Sequence, residues 1–268
     1  MSTNRRSDST DKVTVERRDR VMLIGINRPT IFNRIDPDTY SALASAYFNY
    51  EHDTSLRAAV LFGHGQCFSR GIDVDAFAEL GRSGRSFVLG DNTIDPLAKK
   101  GGLRKPLIVA THGDTWNMGH ELFLVGDIRV ASKDTQFGQD EVSHGRFPGG
   151  GSTVRFVRES GWANAMRYML TGDHWDATEA YRIGEVQFVA DDPDGALESA
   201  LQIASKVAQC APLGVASTLT SAHLAIDKSE SEALASLDVQ YGALYRTEDF
   251  IEGQKAEAEG RLPQFQGR

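Results

Sequence analysis

Apolar residues recur along the first two thirds of the chain in short runs that are typical of β-strands. Val13 to Arg18 alternates apolar and polar residues, as a half-buried strand does. Other runs are continuously apolar and end at glycine or proline, as parallel strands buried on both faces do. These runs are Val21 to Pro29, Ala58 to Gly65 and Pro106 to Gly113, followed by the shorter candidates Asp127 to Ser132 and TQFG. The pattern therefore predicts a sheet with interior strands.

Helical periodicity separates these strands and then replaces them. Asp36, followed by a proline, is a favourable N-cap for a helix that runs to about His52. A glycine run at residues 149–151 begins another helix. Strands and helices alternate as far as Phe188, which predicts an α/β fold with parallel crossovers. From Asp194 onward only helical periodicity is found.

These patterns divide the chain into three predicted parts. Residues 1–12 are polar, lack the apolar stretch of a secretion signal and are interpreted as a disordered arm. Residues 13–195 form the α/β core, and residues 196–268 form a C-terminal helical region. The segment from Gly81 to Gly102 is rich in glycine, serine and charge, and we interpret it as a mobile connection.

One carboxylate falls where a helix should be apolar. Met118, Glu121, Leu122 and Val125 follow the spacing of a core-facing helical stripe. An ionised glutamate is costly to bury, so such a group either finds a cation, raises its pKa or serves chemistry. No lysine or arginine lies within one helical turn of Glu121. The alternative is a helix that ends near solvent, with Glu121 reaching out into water.

Composition and charge narrow the possible functions. The chain has 268 residues, of which 40% are hydrophobic, and this suits either one large domain or one domain with a helical extension. The formal charge of −8 argues against nucleic-acid binding, which needs a basic face. Cys67 and Cys210 stand far apart, so no disulfide framework or zinc spacing is visible and a reducing cytoplasm is expected. No apolar run approaches the ~20 residues of a membrane span.

Five segments resemble the crotonase (enoyl-CoA hydratase/isomerase) superfamily in order and spacing. They are LIGINRP, AAVLFGHGQCFSRGIDV, KPLIVATHGDTWNMGHELFLVGDIRVAS, TQFGQDEVSHGRFPGGGSTVRF and MLTGDHWDATEAYRIGEVQFV. The resemblance extends from about Val13 to the C-terminus. It implies a crotonase-like spiral of ββα turns over the core. The C-terminal helices would then assemble the protein as a homotrimer or a dimer of trimers.

The resemblance assigns Glu121 and Glu141 to the two glutamates that enoyl-CoA hydratases use in water addition. Two carboxyl groups that converge on one water can divide the work, one taking a proton and the other giving one. The resemblance also places the two backbone N–H donors of an oxyanion hole at Arg70 and Met118. Such donors stabilise the negative charge that forms on the thioester oxygen.

Further site residues follow from the same resemblance. Arg34, Arg70, Ile72 and Asp73 are expected to bind the CoA part of the substrate, although Asp73 could instead cap the next helix. Trp116, His144 and Phe147 are expected to line the acyl pocket. No separate cofactor is expected because CoA belongs to the substrate, and no histidine pair has metal-binding spacing.

The resulting expectation is an enoyl-CoA hydratase that forms 3-hydroxyacyl-CoA. An enoyl-CoA isomerase or an acyl-CoA thioester hydrolase on the same scaffold is the enzymatic alternative. A catalytically silent acyl-CoA-binding protein stays open as well. Its support comes from the bulky Arg70 and Trp116, and from Glu257 and Gly260, which stand where relatives carry an aromatic residue and a lysine.

Overall fold

The computed structural model describes residues 11–84 and 87–268, and a six-stranded sheet forms its centre. Its strands are β1 (Val13–Arg18), β2 (Val21–Ile26), β3 (Ala58–Gly63), β4 (Leu107–Thr111), β6 (Ile128–Ser132) and β9 (Phe188–Ala190), in that spatial order. β1 and β2 form an antiparallel hairpin, and every later pair in this sheet is parallel. Five of the predicted strands are therefore confirmed with bounds shifted by a few residues.

The inner strands bury side chains on both faces of the sheet, as their continuous apolar runs predicted. Successive residues alternate between the two faces, so Leu23 and Ile24 enter different apolar clusters. The cluster around Leu23 is closed by helix α7 (Pro193–Gln209), whose alanines recur every four residues. These alanines are Ala196, Ala200, Ala204 and Ala208. Their small size lets the helix lie close to the sheet.

A second, smaller sheet positions the residues of interest. It consists of β5 (Asp114–Trp116), β7 (Gln136–Gly138) and β8 (Trp175–Asp176). β5 and β7 pair in parallel, with Trp116 opposite Gly138. Helix α3 (Met118–Phe123) follows β5 directly, and a 3₁₀ turn at Glu141–His144 follows β7. Since parallel strands end at the same edge of a sheet, α3 and this turn are neighbours.

The other helices cover the two sheets. Helix α1 (Pro37–His52) begins and ends where the sequence predicted, and the Asp36 carboxylate accepts a 2.8 Å hydrogen bond from the Thr39 N–H. The remaining helices of the first part are α2 (Val74–Arg82), α4 (Ser152–Ser160), α5 (Trp162–Thr171) and α6 (Ala177–Arg182). The C-terminal helical region consists of α7 followed by α8 (Pro212–Asp227), α9 (Glu230–Leu244) and α10 (Glu248–Glu259).

The architecture is α/β with a C-terminal helical region, as the resemblance implied. The predicted boundary between residues 195 and 196 falls inside α7, and that helix packs on the main sheet. The division into a core and a helical region at this position stays a prediction. Residues 1–10 of the predicted N-terminal arm lie outside the described residues.

Candidate active site

Glu121 lies on the buried face of α3 and points into the protein. Only 3% of the surface of Glu121 is exposed to solvent. One carboxylate oxygen, Oε1, accepts the backbone N–H of Gly150 at 2.6 Å and that of Ser152 at 3.4 Å. Burial raises the pKa of Glu121, while these two N–H groups and His120 act in the opposite direction. The alternative in which Glu121 reaches into solvent is therefore wrong.

The glycine run before α4 allows this contact. A Cβ atom on Gly150 would lie 2.1 Å from Oε2 of Glu121 and 2.9 Å from a methyl carbon of Leu97. Gly151 has φ of +123°, a conformation that side chains rarely adopt. The run opens α4, as predicted from the sequence, and it also brings main-chain donors to Glu121.

Glu141 begins the 3₁₀ turn after β7 and is 7% exposed. Among the residues that the structure describes, its buried Oε2 atom has no hydrogen-bonding partner. Burial raises the pKa of Glu141 to about 7, and the negative charges of Glu121 and Asp140 add to this effect against the opposing charge of Arg146. Near neutral pH this carboxyl group is therefore divided between its protonated and ionised forms.

Two backbone N–H groups beside the start of α3 form no hydrogen bond within the described chain. Within residues 11–84 and 87–268, neither the Met118 N–H nor the Ile72 N–H has a hydrogen-bond acceptor. Met118 is the first residue of α3, where an N–H has no partner inside the helix. A Cβ atom on Gly71 would lie 3.1 Å from the Met118 nitrogen, so the chain before Ile72 runs directly past α3.

The prediction of an oxyanion donor at Arg70 needs correction. The Arg70 N–H already donates a 3.0 Å hydrogen bond to the carbonyl of Phe32. Its side chain is also engaged, because Nε donates to Asp114 at 2.6 Å and the guanidinium stacks on the rings of Phe32 and Trp116. The Arg70 side chain therefore links Phe32, Asp114 and Trp116 beside the site. Its backbone N–H is not free to bind a substrate oxygen.

The other residues predicted to bind CoA lie on the chain segment around Ile72 or contact it. Arg34 donates a 3.4 Å hydrogen bond from Nη1 to the carbonyl of Ile72. Asp73 accepts a 3.4 Å hydrogen bond from the N–H of Ala76 in α2 and lies 3.5 Å from a guanidinium nitrogen of Arg28. Asp73 thus has the capping contact that the sequence left open as an alternative. A role in CoA binding stays a prediction for all of these residues.

The cavity beside Met118 differs from the predicted acyl pocket. It has a volume of about 620 Å³ and lies between Met118, Tyr40, Phe77 and the segment 87–102. Trp116, His144 and Phe147 do not line it. Trp116 stacks against His174 with ring centroids 4.7 Å apart, whereas His144 and Phe147 are largely exposed.

Sequence reasoning missed this cavity because it interpreted Gly81 to Gly102 as a mobile connection. The described part of that segment makes specific contacts. The Asp95 carboxylate accepts a hydrogen bond from the Tyr40 hydroxyl, and the carbonyl of Leu97 accepts a 2.6 Å hydrogen bond from Arg155. The apolar residues Phe87, Leu89, Ile94 and Leu97, spaced among glycine and polar residues, were the available signal. Such spacing fits neither a helical nor a strand period, so it was not recognised as a cavity wall.

The histidine nearest to Glu121 in sequence supports the core. His120 is fully buried between Gln139, whose amide lies 2.8 Å from Nδ1, and Glu185, which contacts Nε2. The rings of Phe156 and Trp175 surround it. Among the residues that the structure describes, no group of three or more His, Cys, Asp or Glu could hold a metal ion.

Comparison with known proteins decides the family. The family model described as enoyl-CoA hydratase/isomerase matches residues 16–268. The chain belongs to the enoyl-CoA hydratase/isomerase family. It is 35% identical to the enoyl-CoA hydratase EchA19 of Mycobacterium tuberculosis, over 95% of this chain and 96% of that protein. It is 33% identical to the 2,3-dehydroadipyl-CoA hydratase of Escherichia coli, over 96% of this chain and 99% of that protein.

Solved structures of the enoyl-CoA hydratase/isomerase family have the same fold. A probable enoyl-CoA hydratase/isomerase from Mycobacterium abscessus superimposes with a TM-score of 0.92 at 40% identity, covering 96% of this chain and 99% of that one. An enoyl-CoA hydratase from Mycobacterium tuberculosis gives a TM-score of 0.85 at 32% identity, with coverage of 96% and 99%. Membership of this family implies acyl-CoA substrates. No helix in the described part of the chain is long and apolar enough to cross a membrane.

Proposed function

We propose that this protein is an enoyl-CoA hydratase that adds water across the 2,3 double bond of a trans-2-enoyl-CoA. The observation that carries the proposal is the state of Glu141. Its carboxyl group is buried, keeps one oxygen without a protein partner and has a pKa of about 7 that the charge of Glu121 helps to raise. Two glutamates that interact electrostatically can act as a pair in which one is the general acid and the other is the general base.

Glu121 is the proposed base. The N–H groups of Gly150 and Ser152 stabilise its ionised form, which would take a proton from water as the oxygen attacks C3. The electron pair of the double bond moves onto the thioester oxygen and gives an enolate. Glu141 in its protonated form then delivers its proton to C2. The proton left on Glu121 returns to Glu141 through solvent, and the product is 3-hydroxyacyl-CoA.

The N–H groups of Met118 and Ile72 are the proposed oxyanion donors. Both lack a protein acceptor in the described chain, and the backbone next to Ile72 lies against the Met118 nitrogen. Fixed donors of this kind stabilise an enolate oxygen by roughly 3–4 kcal/mol each in comparable sites. The proposed CoA contacts are Arg34, Arg70, Ile72 and Asp73, and the cavity beside Met118 is the proposed acyl site.

Activity on crotonyl-CoA tests the function directly. A hydratase removes the near-ultraviolet absorbance of the conjugated thioester, and Glu121→Gln and Glu141→Gln should each lower kcat by about 10²- to 10⁴-fold. An isomerase would instead convert a 3-enoyl to a 2-enoyl thioester and leave Glu121→Gln partly active. A hydrolase would release free CoA thiol. A silent binder would show thermal stabilisation by acyl-CoA without turnover of any thioester, which would refute the proposal.

A further inference from the structure

Two side chains join the segments that carry the proposed oxyanion donor and the proposed acid. Asn117 precedes Met118, and Asp140 precedes Glu141. Nδ2 of Asn117 donates to Oδ1 of Asp140 at 2.9 Å. In return, the backbone N–H of Asp140 donates to Oδ1 of Asn117 at 3.1 Å. The two hydrogen bonds close a ring between the start of α3 and the turn of Glu141.

This pair lies where the backbone ladder between β5 and β7 ends. The Asn117 N–H donates to the carbonyl of Gly138 at 2.8 Å, and the Gln139 side chain donates to the carbonyl of Asn117 at 3.0 Å. Beyond that point the segment after β5 continues into α3, and the segment after β7 continues into the 3₁₀ turn. The Asn117–Asp140 pair is therefore a direct link immediately before Met118 and Glu141, next to the contact of the Gln139 amide with His120 of α3.

The backbone of Asn117 is unusual for a residue with a side chain. Its φ of +52° and ψ of −121° lie in a region that glycine occupies readily and other residues rarely. A residue held in such a conformation points to a functional role for its side chain when the surroundings fix it. Here the side chain does not cap α3, and its amide is used on Asp140 instead.

Asp140 brings a negative charge to the same place. Burial by itself raises the pKa of Asp140, but the hydrogen bonds from Asn117 and His174 and the charge of His144 bring it below its ordinary value. His174 lies 3.4 Å and His144 3.7 Å from Oδ2 of Asp140. The ionised Asp140 in turn favours the protonated form of its neighbour Glu141.

We propose that Asn117 and Asp140 are positioning residues, which hold the carboxyl group of Glu141 at a fixed distance from the Met118 N–H. The inference rests on the proposed function of those two groups. Because the enolate that the Met118 N–H stabilises is the species that Glu141 protonates at C2, a shift of either segment by a fraction of an ångström lowers the rate. Substrate affinity depends on other contacts and changes little.

Asn117→Gly is the variant that isolates the side chain. Glycine adopts the backbone conformation of Asn117 without strain, and this gain offsets the loss of the two hydrogen bonds and the greater freedom of the unfolded chain, so the thermal midpoint should change little. We expect kcat for crotonyl-CoA to fall about tenfold to a hundredfold with KM within about twofold. Asp19→Gly is the matched control, because Asp19 also has positive φ and lies in the turn between β1 and β2, at the opposite end of the parallel strands. It should retain the wild-type kcat.

Asp140→Asn separates the charge from the hydrogen bonds. An amide oxygen at this position still accepts from Asn117, and the backbone N–H still donates. We therefore expect most of kcat to survive at acidic pH and the alkaline limb of the rate profile to move to lower pH. The other charged groups that face Glu141 or Asp140, namely Glu121, Arg146, His144 and His174, are unchanged in this variant.

The outcomes separate this inference from the proposed function. If Asn117→Gly keeps kcat within twofold of wild type, the positioning role is refuted and hydration stands. If the wild-type protein does not hydrate any enoyl-CoA, the proposed function fails. The positioning role is then tested by measuring ligand affinity. Asn117→Gly should weaken the binding of acetoacetyl-CoA, which can bind as an enolate, about tenfold more than the binding of butyryl-CoA. Equal weakening of the two ligands would overturn it.

Discussion

At the scale of single residues, the site depends on how two carboxyl groups are solvated. Glu121 is buried, but two main-chain N–H groups reach its Oε1 atom, so its charge is partly compensated. Glu141 is buried, and its Oε2 atom forms no hydrogen bond with any described protein group. Burial raises the pKa of both groups, but backbone N–H groups oppose this rise at Glu121. The sequence placed both glutamates by family register, but it could not give this difference in hydrogen bonding, which depends on distant backbone amides.

The pKa of Glu141 has a consequence for stability. Burial raises it from the ordinary 4.5 to about 7, so the folded protein binds more protons than the unfolded chain between these values. The unfolding free energy contributed by Glu141 therefore falls as pH rises through that window. Glutamine at this position has no proton to lose. We expect the stability of Glu141→Gln relative to wild type to rise by roughly 2 kcal/mol from pH 4.5 to 8.

Urea unfolding at fixed protein concentration, repeated across that pH range, measures this difference. Titrating groups that do not interact with Glu141 affect both proteins equally and cancel. A difference that stays constant with pH would show that Glu141 titrates normally in the folded state. It would remove the argument that Glu141 is the acid.

Gly150 gives a second test at this scale. Alanine would place its Cβ 2.1 Å from Oε2 of Glu121, so either the carboxylate or the glycine run must move. We expect Gly150→Ala to lose about 1–3 kcal/mol of stability and about a hundredfold in hydratase kcat. Gly149→Ala is the control, because the nearest atom to its Cβ belongs to Phe147 at 3.7 Å. Equal activity of the two variants would contradict the described contact.

At the scale of elements, the sequence predicts helices and strands that carry a local signal, but it does not predict those that depend on pairing with a distant segment. The bounds of α1 follow from the Asp-Pro start, and β1 follows from its alternation. β5 was missed because its three residues, Asp114–Trp116, carry no periodic signal and exist as a strand only through pairing with β7. The Arg70 donor was wrong for the same kind of reason. Whether a backbone N–H is free depends on a partner such as Phe32, which local sequence does not show.

The segment 87–102 supports a prediction about the acyl chain. It forms most of a cavity of about 620 Å³ next to Met118, and the size is typical of a site for a ligand larger than a four-carbon chain. We expect kcat/KM to rise from crotonyl-CoA to medium-chain enoyl-CoA esters. Leu89→Trp, which fills the cavity, should reverse this order without loss on crotonyl-CoA. Leu170→Trp, on the exposed face of α5, is the control. No chain-length change in Leu89→Trp would place the acyl chain elsewhere.

At the scale of the whole molecule, the C-terminal helices leave many apolar side chains exposed. α8 has no buried residue in this chain, and α9 buries only Ala233 among those that the structure describes. Exposed residues on α9 include Leu234, Leu237, Val239 and Tyr241. So many exposed large apolar residues on one part of a chain are typical of a protein–protein interface. We propose that α8 and α9 pack against other copies in a homotrimer or a dimer of trimers.

Light scattering after size-exclusion chromatography tests the assembly. The chain mass is 29.3 kDa, and we expect a particle of three or six chains. Leu237→Glu should shift the particle toward monomers, because a charge in an apolar interface is costly to bury. Val15→Glu changes an exposed apolar residue on β1 and should leave the mass unchanged. A monomeric wild-type protein would contradict the proposal.

The most direct test of the central claim is a double-mutant cycle on Glu121 and Glu141. Hydration of crotonyl-CoA is measured for wild type, Glu121→Gln, Glu141→Gln and the double variant. If the two carboxyl groups act on one water and one enoyl thioester as a unit, the double variant should lose little more activity than either single variant. Losses that multiply, or a Glu121→Gln variant that retains activity within about tenfold of wild type, would contradict the account.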